Sequence, residues 1–156
     1  MRLAVFFLAL LLAPPLHAAT FTVDSTGDTV DAVPGDGIYA DAAGACTLRA
    51  AIQETNALVG ADEIELPDGT YQLAIPGTGE DAGATGDLDV TDDLVLIGES
   101  AESTAIDANG IDSVLDVATG ISLEVMATAF TGGDPLRQGR SDQSPTARRL
   151  PEAVPG

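Results

Sequence analysis

The 156 residues carry 25 Asp and Glu against six Arg, with no Lys and a single His, for a formal net charge of −19. A surface this acidic repels phosphate backbones and anionic lipid at long range, which argues against nucleic acid as a partner and would repel a polyuronate lacking bridging cations. The 45% hydrophobic content is enough for a packed core, unlike that of acidic disordered chains, and the lone Cys46 has no partner for an internal disulfide.

The chain opens on Arg2 and an apolar run over residues 3–13, followed by Pro14-Pro15 and then Ala18-Ala19. A basic start, an apolar stretch too short to cross a bilayer and a small-residue end describe a secretory leader, with cleavage expected after Ala18 or Ala19. No later segment is apolar enough to span a membrane. A secreted, cell-surface or periplasmic chain with no membrane span after cleavage is therefore expected. Residues 21–23 are a short β-rich run, and an acidic, glycine-containing loop follows. Thr47 as N-cap, Leu48, Ile52, Thr55 and Val59 on one face, and Gly60 as a stop predict a helix over 47–58. Beyond it, alternation and turn residues predict strands over 63–66, 70–73, 87–90, 94–98, 104–107, 114–117 and 121–125. After Gly133 the chain turns Pro- and Arg-rich, with Arg137, Arg140, Arg148 and Arg149, and this tail over 134–156 is expected to lack order.

Strand spacing of this kind fits a sandwich, a barrel or a solenoid. Two features favour the solenoid. Strand–turn units recur at roughly 20–25 residues, as 70–73 against 94–97 and 97 against 121. The one amphipathic helix also precedes the run of strands, where it would cover the exposed end of a first coil.

Cys46-Thr47-Leu48-Arg49-Ala50-Ala51-Ile52, with Gly35-Asp36-Gly37 ahead and Asn56-Ala57 behind, resembles the CSLREA-type N-terminal domain of exported right-handed parallel β-helix proteins with a pectate-lyase-like fold. Ile64-Glu65-Leu66-Pro67-Asp68-Gly69-Thr70-Tyr71 and Phe130-Thr131-Gly132-Gly133 look like pieces of successive early coils. The resemblance implies a mostly β fold: a leader over 1–19, a capping region over 20–60 and early coils over 61–133. It makes Cys46, Thr47, Leu48, Arg49 and Ile52 the structural cap. Two positions depart from the pattern. Tyr39 stands where the family commonly has a second cysteine, and Ala50 replaces the glutamate of a capping box. Family members continue for many further coils, so a chain of about three coils is expected to be a truncated or frame-shifted form.

The residues for catalysis are sparse. Lyases of similar fold use Arg or Lys beside calcium-bound carboxylates, but Arg49 lies on the helix and there is no lysine. Hydrolases use aspartates with a histidine, and His17 falls in the leader. Asp89, Asp92 and Asp93 imitate the aspartates but read as solvated turn residues. Cys46 has no histidine in the mature chain to activate it. Asp31, Asp36 and Asp41 are the candidate ligands for Ca²⁺, the one cofactor considered, against the simpler reading that each forms a turn. The expected function is a non-catalytic exported or cell-surface β-helix protein, adhesin-like or engaging carbohydrate or other surface proteins. The alternatives are a fragment of a polysaccharide lyase or glycoside hydrolase lacking its catalytic coils, and a nonfunctional truncation. Self-association is expected at the open end of the solenoid.

Overall fold

The computed structural model describes residues 18–111 and 113–138. The expected leader up to His17 and the rest of the expected tail from Gly139 lie outside the described residues. The fold is mostly β with one short helix. In chain order the elements are β1 (Thr20–Thr22), α1 (Leu48–Ala57), β2 (Asp62–Leu66), β3 (Gly69–Gln72), β4 (Leu88–Val90), β5 (Leu94–Gly98), β6 (Thr104–Asp107), β7 (Ser113–Val117), β8 (Leu123–Met126), β9 (Ala129–Thr131) and β10 (Asp134–Gln138).

All paired strands run parallel, in three sheets of order β1-β2-β5-β8, β3-β6-β9 and β4-β7-β10. From β2 to β7, each strand pairs with the third strand after it. The chain therefore visits the three sheets in turn, and every inward side chain stacks on its counterpart one triplet later. Phe21, Ile64, Leu96 and Val125 form one such column. Tyr71, Ile106 and Phe130 form a second, and Leu88, Leu115 and Leu136 a third. Period-two alternation makes this possible: β2 and β5 place Ile64, Leu66, Leu94 and Leu96 inside and turn the residues between them outward.

Several expectations need correction. The helix does not precede every strand, because β1 comes before it and pairs with β2. A bridge between Ser25 and Thr47 then carries the sheet on to the helix N-cap. The helix ends at Leu58, whose N–H bonds to the carbonyls of Glu54 and Thr55, so Val59 falls past it and is exposed. Thr70 is opposite Ala105 and not residues 94–97, so the repeat runs from β3 to β6 and is longer than the sequence spacing suggested. The start of the expected unstructured tail is strand β10, in register with β7. Pro135 is tolerated there because β10 has a strand neighbour on one side only among the described residues, where a missing N–H costs the ladder least.

The helix forms as its sequence dictates. Thr47 is extended at φ −90° and its Oγ1 accepts from the Ala50 N–H at 3.1 Å, so the N-cap holds without the capping-box glutamate. Leu48 and Ile52 are buried in the core, and α1 packs against β2 and β4. Replacing either residue with Asp places an unpaired charge there and should cost roughly 4 kcal/mol or more. Chemical denaturation is the check: the midpoint should collapse, and an unaltered one would show that this helix face does not hold the core.

Candidate functional site

The residue that organises the molecule is Arg49. It is 1% exposed, and all five of its N–H donors are used. Nε bonds to Asp28 Oδ1 at 2.6 Å and Nη2 to Asp28 Oδ2 at 3.2 Å. Nη1 reaches the carbonyls of Gly83 and Asp87, and Nη2 also reaches that of Gly86 at 2.7 Å. Asp28 Oδ2 in turn accepts from the N–H groups of Ala74 and Ile75. Burial alone would push the Asp28 pKa up; the Arg49 hydrogen bond, these two backbone donors and the guanidinium charge outweigh it and hold the carboxyl below its ordinary range.

The rest of the polar helix face works the same way. Gln53 accepts from Asp31 N–H at 2.8 Å and donates to the Ala82 carbonyl. Asn56 donates to Asp89 O and accepts from Thr91 N–H. Glu54, fully buried, accepts from the N–H groups of Gly35 and Gly37, each at 2.5 Å. Gly35 and Gly37 have φ of +91° and +85°, which side-chain-bearing residues rarely adopt, and this turns both N–H groups onto one carboxylate. A single turn-rich loop on each side of the chain is thereby tied to α1. Of this set the sequence singled out only Arg49; the spaced glycines ahead of the helix were the signal for Glu54.

The expected calcium ligands do not assemble. Asp31 Oδ1 accepts from Val33 N–H and Asp36 Oδ1 from Ile38 N–H, while Asp41 takes Ala43 N–H, Ala45 N–H and the Thr29 hydroxyl. Apart from the Thr29 hydroxyl these are turn-forming bonds to nearby backbone, and among the described residues no group of three or more His, Cys, Asp or Glu is placed to hold a metal ion. The other cap residues lie together. Thr47, Leu48, Arg49 and Ile52 are buried, and Cys46 is half-buried with a free thiol, its backbone bonded to Asp24 and Ser25. Burial first, then the charges of Asp24, Asp31 and Asp41, pushes that thiol up, away from nucleophilic use. Tyr39 lays its ring edge-on to Phe21 at 4.6 Å.

Asp89 is not a solvated turn residue. It lies mid-strand in β4, 4% exposed, with Oδ2 accepting from Gly83 N–H, and it is directly opposite Asp116 on β7. A small cleft of about 140 Å³ opens beside the pair, with Asp81 and Thr119 on its wall. Burial, then the charges of Asp87, Glu80 and Asp116, push Asp89 up to about 7 against the Gly83 bond. Asp92 and Asp93 are ordinary turn residues: Asp92 accepts from Gly60 N–H and Asp93 N–H, and Asp93 from Ser122 N–H. A second, larger groove of about 550 Å³ runs along the outward face of β2 and β5, lined by Thr22, Glu65, Pro67, Asp68, Ile97 and Glu99 among others.

No family model, curated protein or solved structure matches the chain. Among the described residues no helix is long and apolar enough to cross a membrane.

Arg49→Lys keeps the charge but has three donors for five acceptors, so it should destabilise the fold by about 2–4 kcal/mol, read from urea midpoints. Asp89 sets a pH dependence. Its folded pKa lies above the unfolded value of 3.8, so its contribution is complete below pH 3.8 and is lost as pH rises towards 7. Asp28 has the opposite sign and loses its contribution in acid. Thermal midpoints of the wild type should therefore fall between pH 4 and 7 relative to Asp89→Asn, which keeps the size and an acceptor for Gly83 but cannot ionise. Parallel curves for the two proteins would remove Asp89 as the cause.

Proposed function

We propose that this chain is the helix-capped beginning of an exported right-handed parallel β-helix, a CSLREA-type module that acts as a non-catalytic, adhesin-like surface protein engaging carbohydrate. The winding reading is supported by the pairing of each strand with the third strand after it, which makes β2–β4, β5–β7 and β8–β10 three successive coils. Strand β1 and the helix then form the closing layer. Leu136, at an inward register position, is 47% exposed where Leu115 below it is 0%. That layer suits a further coil or a second copy, which is where self-association belongs in this proposal.

The observation that carries the binding role is the open groove on β2 and β5. Its carboxylates, Glu65, Asp68 and Glu99, accept hydrogen bonds from sugar hydroxyls, and Pro67 and Ile97 offer apolar surface to C–H faces. Arg49, the only basic residue between Thr20 and Gly133, is fully engaged inside the fold, so nothing on this face would attract a uronate. Neutral oligosaccharides should therefore bind and polyuronates should not, as read by titration calorimetry. Glu65→Ala combined with Glu99→Ala should abolish that heat. Binding of polyuronate alone, or of no glycan, would sink the carbohydrate role.

The buried Asp89 opposite Asp116 favours one second reading, a glycoside hydrolase fragment in which Asp89 serves as the general acid. Release of reducing ends from a neutral glycan, lost in Asp89→Asn, would replace the binding role with this one.

A further inference from the structure

Asp62 opens β2 and is 1% exposed. Its Oδ1 accepts from the Ala19 N–H at 2.8 Å, while Oδ2 is sealed from solvent and meets no donor among the described residues. Ala19 is fixed at its other end as well, since its carbonyl accepts from Glu63 N–H at 2.8 Å and its side chain packs on the core. Ala18, one residue earlier, is exposed, so the chain enters the fold between these two alanines. A buried carboxylate with one amide donor for two oxygens is under-satisfied, and a second amide cannot come from Ala19. The nitrogen it holds is one of the two at which the leader reading puts the cleavage.

We propose that Asp62 is the binding site for the chain's own processed N-terminus. Hydrolysis of the Ala18–Ala19 peptide bond adds hydroxyl to the Ala18 carbonyl carbon and hydrogen to the Ala19 nitrogen. The new α-amine, whose ordinary pKa is about 7.7–8.0, takes a further proton from solvent. One amide N–H facing Asp62 thus becomes three ammonium N–H donors carrying a positive charge. The ammonium pairs with the buried carboxylate and supplies the missing donor to Oδ2. Processing then tightens β1 on β2, because Ala19 leads directly into β1. The inference rests on the export reading and goes beyond it in selecting Ala19 over Thr20, since cleavage after Ala19 removes the group that Asp62 grips.

The chain has no lysine, so after processing the α-amine is its only primary amine and an N-hydroxysuccinimide ester reports on it alone. The full chain, purified after export with its own leader, should have an intact mass that begins at Ala19. Its labelling should be at least ~10-fold slower when native than in urea, and Asp62→Asn should bring the native rate close to the unfolded one. Wild-type chain acetylated in urea and refolded should melt several degrees lower than the free amine, a readout that stands if Asp62→Asn fails to fold. A mass that includes Met1 overturns the export reading and this pairing together. A mass beginning at Thr20, equal native and unfolded labelling rates, or an acetylated chain with an unshifted midpoint overturns the pairing and leaves export standing.

Discussion

A guanidinium buried without enough acceptors would cost several kcal/mol, so the structure is built to complete the shell around Arg49. Asp28 approaches from one side and the carbonyls of Gly83, Gly86 and Asp87 from the other. Neither group belongs to a regular element near the helix, and each loop is shaped by what it must present to the arginine. Because Asp28 also takes the N–H groups of Ala74 and Ile75, the chain just after β3 is fixed by the same ion pair. The helix therefore holds the fold through a polar face as well as an apolar one. Its Leu48 and Ile52 exclude water from the columns of stacked side chains, and its Arg49, Gln53, Glu54 and Asn56 tie down the backbone that passes over them.

Two kinds of carboxylate follow from that arrangement. Asp28 and Glu54 are buried but served by donors, and they act as struts. Asp89 and Asp62 are buried with fewer donors than a carboxylate can use: Gly83 N–H for the first and Ala19 N–H for the second. In a chain with so many acids, charge count says nothing about which ones matter. Burial and the number of N–H groups aimed at each oxygen separate them.

Much of the strand content was legible in the sequence. Strands β5 and β6 coincide with the expected segments, because Leu94-Val95-Leu96-Ile97 and Thr104-Ala105-Ile106-Asp107 are β-rich runs bounded by turn residues. The helix was legible through Thr47 at its start, though not at its end, where Val59 continues the apolar spacing after the backbone has turned away. Pairing was not legible: alternation assigns faces to a strand but not neighbours, and β3 resembles β5 as closely as it resembles β6. Strands β9 and β10 were missed because three residues carry little pattern and Pro135 argues against a strand unless its edge position is known. The site was harder still. Gln53, Glu54 and Asn56 look like the solvated side of any amphipathic helix, and only the loops that fold over them make them interior.

The shell around Arg49 also makes distant stretches of the chain depend on one another. Its acceptors are drawn from Asp28, 21 residues before it, and from as far as Asp87, 38 residues after it. Residues 20–60 alone would hold a cation without its three carbonyl acceptors and a carboxylate without its two backbone donors. Both shells are completed only by the segment through Asp87. The loop ahead of α1, the helix and the chain up to β4 are therefore tied into one cooperative unit.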